Sequence, residues 1–332
     1  MDTVRLGLIG FGAWTRSAYV PSLEALDNVQ VISVAAPSDS SRQAAIDLLG
    51  PGVELFTDYR DLLDHSPVDA VAIALPGPLH AQALAAALDA CKHILYEPPI
   101  AVDEAEAMHA LETAACHPKV VRADLELRYL PVLDFLMTRL LPNELGEPFL
   151  AKVSLWCDWG LGGGDWLDEA EPQGFFPWLG CWYVDVLDRV FAVAPERVFV
   201  TGGYAANRTL MDHGWASFSY PSGAVGQFEF NMVAAEGQRT ELTVVGTRGE
   251  AIIDLWSGAC RWKSGVNQWH EAQVPCAQPV AGFSGMRESI AAFIESVRAE
   301  VPDDEALRVA ERVHKTVFAC ARSEAQRQAI RL

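Results

Sequence analysis

Two glycines, Gly10 and Gly12, directly follow a short apolar run from Val4 to Ile9 that only Arg5 interrupts. An amphipathic stretch from Trp14 to Leu26 comes next. The layout is strand, glycine turn, helix. Such a turn aims backbone N–H groups and the positive end of a helix dipole at a phosphate. Gly10 permits the tight turn, and Gly12 lets a pyrophosphate approach the backbone. Gly10, Phe11, Gly12, Ala13, Trp14 and Thr15 therefore read as a dinucleotide cradle. Thr15 stands where the third glycine of the fingerprint belongs, and an ordinary strand–helix turn with two glycines leaves a similar trace.

The next chemistry-bearing places follow the strands. Val29 to Ala36 reads as a second strand. An acid that holds a ribose 2′-hydroxyl commonly sits about 20 residues past the glycines. Here Ala36 and Pro37 lead into Ser38, Asp39, Ser40, Ser41 and Arg42. Hydroxyls and an arginine at a helix start attract a 2′-phosphate, so Ser38, Ser41 and Arg42 favour NADP, with NAD the alternative. Asp39 argues the other way, and Ser40 with Gln43 also fits a capping box. A strand over Val68–Leu75 ends at Pro76, and a helix follows from His80 to Ala90. His80 taken alone is a helix-start hydrogen-bonder. The strand His93–Tyr96 ends at Glu97, Pro98 and Pro99. A helix over Asp103–Cys116 and a strand over Val120–Ala123 continue the alternation. This pattern predicts an α/β fold with a doubly wound parallel sheet. Ligands of such sheets lie beyond the carboxyl ends of the strands, where Gly10–Thr15, Ser38–Arg42, Pro76–His80 and Glu97–Pro99 all fall.

The chain has 332 residues, enough for two domains of ordinary size, and half of its residues are hydrophobic. Asp plus Glu is 44 against 25 Lys plus Arg, a net charge of −19, which disfavours nucleic acid and anionic membranes as partners. No apolar run reaches membrane-spanning length and the N-terminus lacks a signal-peptide layout. Seven scattered cysteines form no CxxC pair and read as reduced, buried thiols. A cytoplasmic protein without a metal site is expected.

In the second half, Phe149 to Cys157 reads as a strand. A glycine-rich segment around residues 160–164 reads as a loop, a lid in preference to a phosphate site. Pro177 to Ala192 predicts a helix with Pro177 in its first turn. Trp178, Trp182, Asp185 and Arg189 then share one face. From periodicity, two tryptophans on a helix face are core packing, and Asp185 with Arg189 is an ordinary surface ion pair. Strands over 198–205, 215–220, 224–233, 241–246 and 251–255 follow, and the third alternates Gln227, Glu229 and Asn231 against Phe228, Phe230 and Met232. Two amphipathic helices close the chain, over 283–298 and 305–321.

Several stretches together resemble the glucose–fructose oxidoreductase and inositol dehydrogenase family, Gfo/Idh/MocA. Leu75-Pro-Gly-Pro-Leu-His80 is similar to the family's "TPNxxH", and His93-Ile-Leu-Tyr-Glu-Pro-Pro-Ile100 to "HVLCEKPL". Arg128-Tyr-Leu-Pro131 resembles "RFxP", Gly246-Thr-Arg-Gly-Glu250 resembles "GTxG", and Pro302 to Arg308 resembles the start of the last helix. The resemblance implies an N-terminal Rossmann domain over 1–123 and a substrate and oligomerisation domain over 124–332 with a large, mostly antiparallel sheet. It implies hydride transfer between a nicotinamide and a carbon bearing oxygen or nitrogen, and a homodimer or homotetramer formed through the sheet, where Trp215, Trp256, Trp262 and Trp269 lie. It also turns the Trp178–Trp182–Asp185 face toward a catalytic cleft with Glu97, Pro98 and Pro99 as floor and Glu126 opposite. The departures carry information. Pro98 replaces the family's lysine, and Trp178 and Trp182 replace its aspartate and histidine. None of the three supplies a proton. Asp185, Glu126 and Tyr129 remain as candidate proton donors, with Trp178, Trp182, Pro98 and Arg128 lining the substrate. The expectation is an oxidoreductase for a small molecule other than a simple polyol; the alternative is a nucleotide-binding sensor or partner protein without turnover.

Overall fold

The computed structural model describes residues 3–158, 174–206, 210–235, 238–266, 268–275 and 284–332. Two compact units divide the chain: Met1–Glu126 with Pro279–Glu311, and Leu127–Gln278 with Arg312–Leu332. A single cut at 123/124 therefore misses a return of the chain to its first unit. Burial accounts for the return. Met286, Ile290, Phe293, Ile294 and Val297 form one stripe of the helix Met286–Ala299 and join the cluster that holds Leu6, Leu8 and Val34.

The first unit is built on six strands: β1 (Val4–Ile9), β2 (Val29–Ala35), β3 (Glu54–Phe56), β4 (Ala70–Ile73), β5 (His93–Tyr96) and β6 (Val121–Ala123). They run in the order β3-β2-β1-β4-β5-β6, every neighbour parallel. That is the dinucleotide-binding order, whose reversal point opens a crevice at the ends of β1 and β4. β3, with three residues, and the helix Tyr59–His65, with seven, escape the sequence reading because both are too short to show a period. After the glycine turn the chain does not enter a regular α-helix. Thr15–Tyr19 winds in wider turns, and only Val20–Glu24 is α-helical. Pro21 has no N–H to give the usual bond, so the ladder changes phase at that point.

The second unit carries a nine-stranded sheet. Its strands are β7 (Pro148–Trp156), β8 (Arg197–Gly203), β9 (His213–Ser219), β10 (Val225–Asn231), β11 (Arg239–Gly246), β12 (Gly249–Asp254), β13 (Ala259–Ser264), β14 (His270–Gln273) and β15 (Ile330–Arg331). The order is β14-β13-β12-β11-β7-β10-β9-β8-β15, and only β7 and β10 pair in parallel. Alternation sends Phe228 and Phe230 to one face. Phe175 stacks on Phe230 at 3.8 Å between ring centroids and Tyr183 stacks on Phe228 at 4.8 Å. Those rings seat the helix Cys181–Phe191 on the sheet. On the opposite face Trp215 is 48 % exposed and Leu150 39 %, with Phe199, Val225 and Trp269 also exposed. Trp256 and Trp262 are only half-buried. Cys157, Cys181, Cys260 and Cys320 are buried thiols as expected, whereas Cys91 and Cys116 are exposed. The glycine-rich segment 160–164 lies outside the described residues.

Candidate functional site

The turn after β1 is shaped by its glycines in two different ways. Gly10 has φ +97°, and a Cβ there would stand 2.1 Å from the carbonyl oxygen of Ala74, so no other residue fits. Gly12 meets nothing within 4 Å, which leaves open space over the turn. Gly12 and Ala13 are exposed and Trp14 is half-buried. Thr15 is buried and its hydroxyl donates to the Gly10 carbonyl at 3.1 Å, closing the turn that a third glycine would have packed. Phe11 points into the core at 2 % exposure, so only its backbone faces the turn.

At the end of β2, Ser38 is the helix N-cap: its hydroxyl accepts from the Ser41 N–H at 3.1 Å. The capping box expected from Ser40 and Gln43 is therefore absent, since the helix starts two residues earlier. Arg42 folds back on the strand end, donating to the carbonyls of Ala36 at 2.6 Å and Pro37 at 2.8 Å and pairing with Asp39.

The ends of β4 and β5 are tied by His80. Its Nδ1 lies 2.7 Å from the Pro99 carbonyl and its Nε2 faces the Leu75 carbonyl. A neutral imidazole donates to only one of them, and burial pushes the ring pKa down. Pro76 is exposed, Pro98 is buried and the Pro98–Pro99 bond is cis. Glu97 accepts from the Trp14 indole Nε1 at 2.8 Å. Burial and the nearby Asp124 push Glu97 up to about 8. Asp124, fully buried, accepts from Ser289 Oγ at 2.6 Å. Asp124, Tyr19 and Ser289 have no counterpart in the sequence reading. The one available signal was register: β5 and β6 pair Tyr96 with Ala123, which sets Glu97 beside Asp124.

Glu126 and Tyr129 lie in a short 3₁₀ turn, Glu126–Tyr129. Glu126 is 8 % exposed, not a solvated strand residue, and Tyr129 is half-buried. In the second unit Arg128 grips Asp185 with Nε, at 2.9 and 3.1 Å to the two carboxylate oxygens, and with Nη2. The same Nη2 reaches Asp188 at 2.9 Å, and Arg312 binds Asp188 at 2.7 and 3.0 Å. The helix thus carries no Asp185–Arg189 pair. Asp185 is wholly buried against Arg128, while Arg189 pairs with Asp134. Burial pushes Asp185 up to about 6 although the guanidinium pulls it down. Burial pulls Arg128 down, and the two carboxylates overcome that and hold it above its ordinary value. The bidentate geometry keeps both partners charged at neutral pH. Trp178 and Trp182 are half-buried, and Trp178 sits in a wide turn, Phe176–Gly180, ahead of the regular helix, so the face expected from even α-helical spacing is rotated there.

Residues 4–125 match the model of an oxidoreductase family with an NAD-binding Rossmann fold, and residues 138–252 match the GFO/IDH/MocA C-terminal domain. An inositol 2-dehydrogenase of Corynebacterium glutamicum (strain R) is 32 % identical over 79 % of this chain and 77 % of its own. An oxidoreductase of Rhizobium meliloti is 28 % identical over 60 % of this chain, and the match spans 59 % of that relative's length. A levoglucosan dehydrogenase structure with NADH and levoglucosan superimposes with a TM-score of 0.85 at 16 % identity, covering 99 % of both chains, which shows the fold. With its parallel six-stranded sheet and its mostly antiparallel second sheet, the chain belongs to the Gfo/Idh/MocA family of oxidoreductases.

Proposed function

We propose that the chain transfers a hydride between NADP and a carbon of a small molecule that is not a simple polyol. The observation that carries this reading is the turn after β1: Gly10 is forced by its neighbour Ala74, and Gly12 leaves its backbone open to a pyrophosphate. Trp14, Pro76, His80 and Glu97 stand at the same ends of the strands. Preference for NADP over NAD rests on Ser38, Ser41 and Arg42, with Asp39 turned onto Arg42 and 98 % exposed. Relatives of this chain include an inositol 2-dehydrogenase, but Pro98, Trp178 and Trp182 replace the groups that would take a hydroxyl proton. An iminium or conjugated acceptor relaxes that demand. Trp178 and Trp182 supply aromatic surface suited to a flat or cationic substrate. Of the three acids considered, Asp185 is occupied in holding Arg128, so proton delivery is assigned to Glu126 and Tyr129, and Arg128 is a substrate-facing cation. The exposed sheet face with Leu150, Phe199 and Trp215 is proposed to form a homodimer or homotetramer, in the cytoplasm. Titration calorimetry with NAD(H) and NADP(H), then NADPH oxidation with imine, carbonyl and conjugated acceptors, tests the reading. Absence of any nucleotide binding refutes it.

A second reading is favoured by the same three replacements: a nucleotide-binding protein without turnover. Binding of NADPH with no oxidation by any acceptor class supports it.

A further inference from the structure

The end of the parallel sheet holds two carboxyls where charge is costly. β5 and β6 run in register, Ile94 beside Val121 and Tyr96 beside Ala123, so the next residues on each strand, Glu97 and Asp124, are neighbours. Adjacent parallel strands lie about 4.8 Å apart, and residues in register point to the same face. Glu97 keeps 7 % of its surface exposed and Asp124 none. Their partners are few. Trp14 donates to Glu97 at 2.8 Å and Ser289 to Asp124 at 2.6 Å. The second oxygen of Asp124, Oδ2, is wholly buried, and the hydroxyl of Tyr19, itself 1 % exposed, lies against both carboxyls without a well-formed hydrogen bond to either. Both carboxyls lie close enough to Tyr19 to raise its pKa, after burial. Among the described residues the cation that acts on Asp124 is Arg122 on β6; its Nη2 is bound to Asp303 and Ser296, while its Nε and Nη1 are buried without a hydrogen bond. His80, behind Glu97, is buried, with its pKa pushed down. Two like charges this close and this dry do not both ionise.

We propose that Glu97 and Asp124 hold one proton between them at neutral pH, and that this proton is linked to dinucleotide binding through Trp14. The link is electrostatic and mechanical. Trp14 belongs to the turn that receives the pyrophosphate, and its indole N–H is fixed by Glu97. A doubly ionised pair would stand beneath an anionic ligand. An arriving pyrophosphate raises the pKa of both carboxyls, so the bound state keeps, or takes up, a proton that the free state loses at high pH. Glu97 is a positioning residue here, not a group that enters the reaction. Loss of the proton from the free protein is set near pH 8 by burial and by Asp124. By linkage, affinity is constant below that pH and falls as pH rises above it, by at most about tenfold per pH unit per proton.

The inference rests on the proposed dinucleotide site, and the test separates the two. NADH is the probe, because its pyrophosphate does not titrate in this range. Its Kd is measured from pH 6.5 to 9.5, with calorimetry at pH 8.5 in two buffers of different ionisation enthalpy. The expected result is a Kd that rises at least fivefold between pH 7.5 and 9.5 with net proton uptake on binding. Glu97→Gln keeps the acceptor for Trp14 and removes the proton; its profile is flat. Asp124→Asn, the second variant, moves the rise to lower pH, because the lone Glu97 ionises more easily. Infrared spectra of the free protein show a protonated-carboxyl band at pH 7 that Glu97→Gln diminishes. Binding with a flat wild-type profile, or a wild-type slope retained in Glu97→Gln, overturns the linkage alone. Failure to bind NADH and NADPH at every pH overturns the dinucleotide site and the linkage with it.

Discussion

Replacing Asp185 by Asn should unfold the second unit's ion network at a cost large enough to measure directly. Asp185 is 0 % exposed and Arg128 17 %, so both charges are largely out of water. The network of Arg128, Arg312, Asp185 and Asp188 is electrically balanced. Asparagine leaves one positive charge uncompensated and returns at most one acceptor to the guanidinium. Breaking a buried pair by removing one partner costs about 3–5 kcal/mol. Asp188 still reaches Nη2, and Arg128 is not fully buried, so the lower end applies, about 3 kcal/mol. For a unit of this size each kcal/mol shifts Tm by about 2–4 °C, which gives a fall of about 6–12 °C. Urea unfolding followed by tryptophan fluorescence, with an unchanged m-value, isolates the stability term. The double replacement Arg128→Met with Asp185→Leu removes both charges and should come back to within about 1 kcal/mol of the parent, since apolar substitutes for a buried pair are often neutral. Dinucleotide affinity, carried by the first unit, should not change. A loss below about 1 kcal/mol in Asp185→Asn, or a double variant weaker than the single one, would refute the account of this pair.

Gly10→Ala should destabilise the first unit by about 2–5 kcal/mol, combining a left-handed backbone with overpacking, whereas Gly12→Ala should stay within about 0.5 kcal/mol; chemical denaturation compares them. Gly12→Trp should fold normally yet lose NADPH binding in calorimetry. Initial rates with myo-inositol should lie about 10²–10⁴-fold below those of a family member with its general base in place, and robust turnover would mean another residue takes the proton. Stability of the first unit should fall as pH rises: the folded Glu97 keeps its proton up to about 8 while the unfolded one loses it from 4.5 upward. The stabilisation is therefore complete below about 4.5 and gone above about 8. Urea midpoints at pH 5.5, 7 and 8.5 measure it, and Glu97→Gln should flatten the trend.

The parallel half of the fold was legible where a buried strand is a compact apolar run soon followed by Gly or Pro, as in β1, β2, β4 and β5; β5 reads as His93–Tyr96 from sequence and structure alike. The antiparallel half was legible wherever one face meets solvent, as in β10. What local pattern could not give was partnership across the chain. Arg128 and Asp185 are 57 residues apart, and nothing in the helix spacing distinguishes Arg189 from Arg128 as the partner of Asp185. Asp124 was invisible for a related reason: beside Glu97 it is a buried acid, but in sequence it is a polar residue at a strand end. Wide helical turns at Thr15–Tyr19 and Phe176–Gly180 also leave no periodic mark, so side-chain directions after Gly12 and around Trp178 do not follow from the sequence pattern.

The two buried polar clusters differ in one respect that orders their behaviour. Around Arg128 and Arg312 each carboxylate faces a guanidinium, so the charges cancel inside the second unit and the cluster is held by geometry. Around Glu97 and Asp124, two carboxyls face one cation, Arg122, whose Nη2 is bound to Asp303, and the charges do not cancel unless a proton is present. Between about pH 7 and 9 the Glu97–Asp124 cluster therefore changes charge and the Arg128–Arg312 cluster does not. A pH effect on dinucleotide affinity belongs to the Glu97 pair. A pH effect on substrate binding that persists in Glu97→Gln belongs elsewhere, and Tyr129 and Glu126 are then the groups to replace.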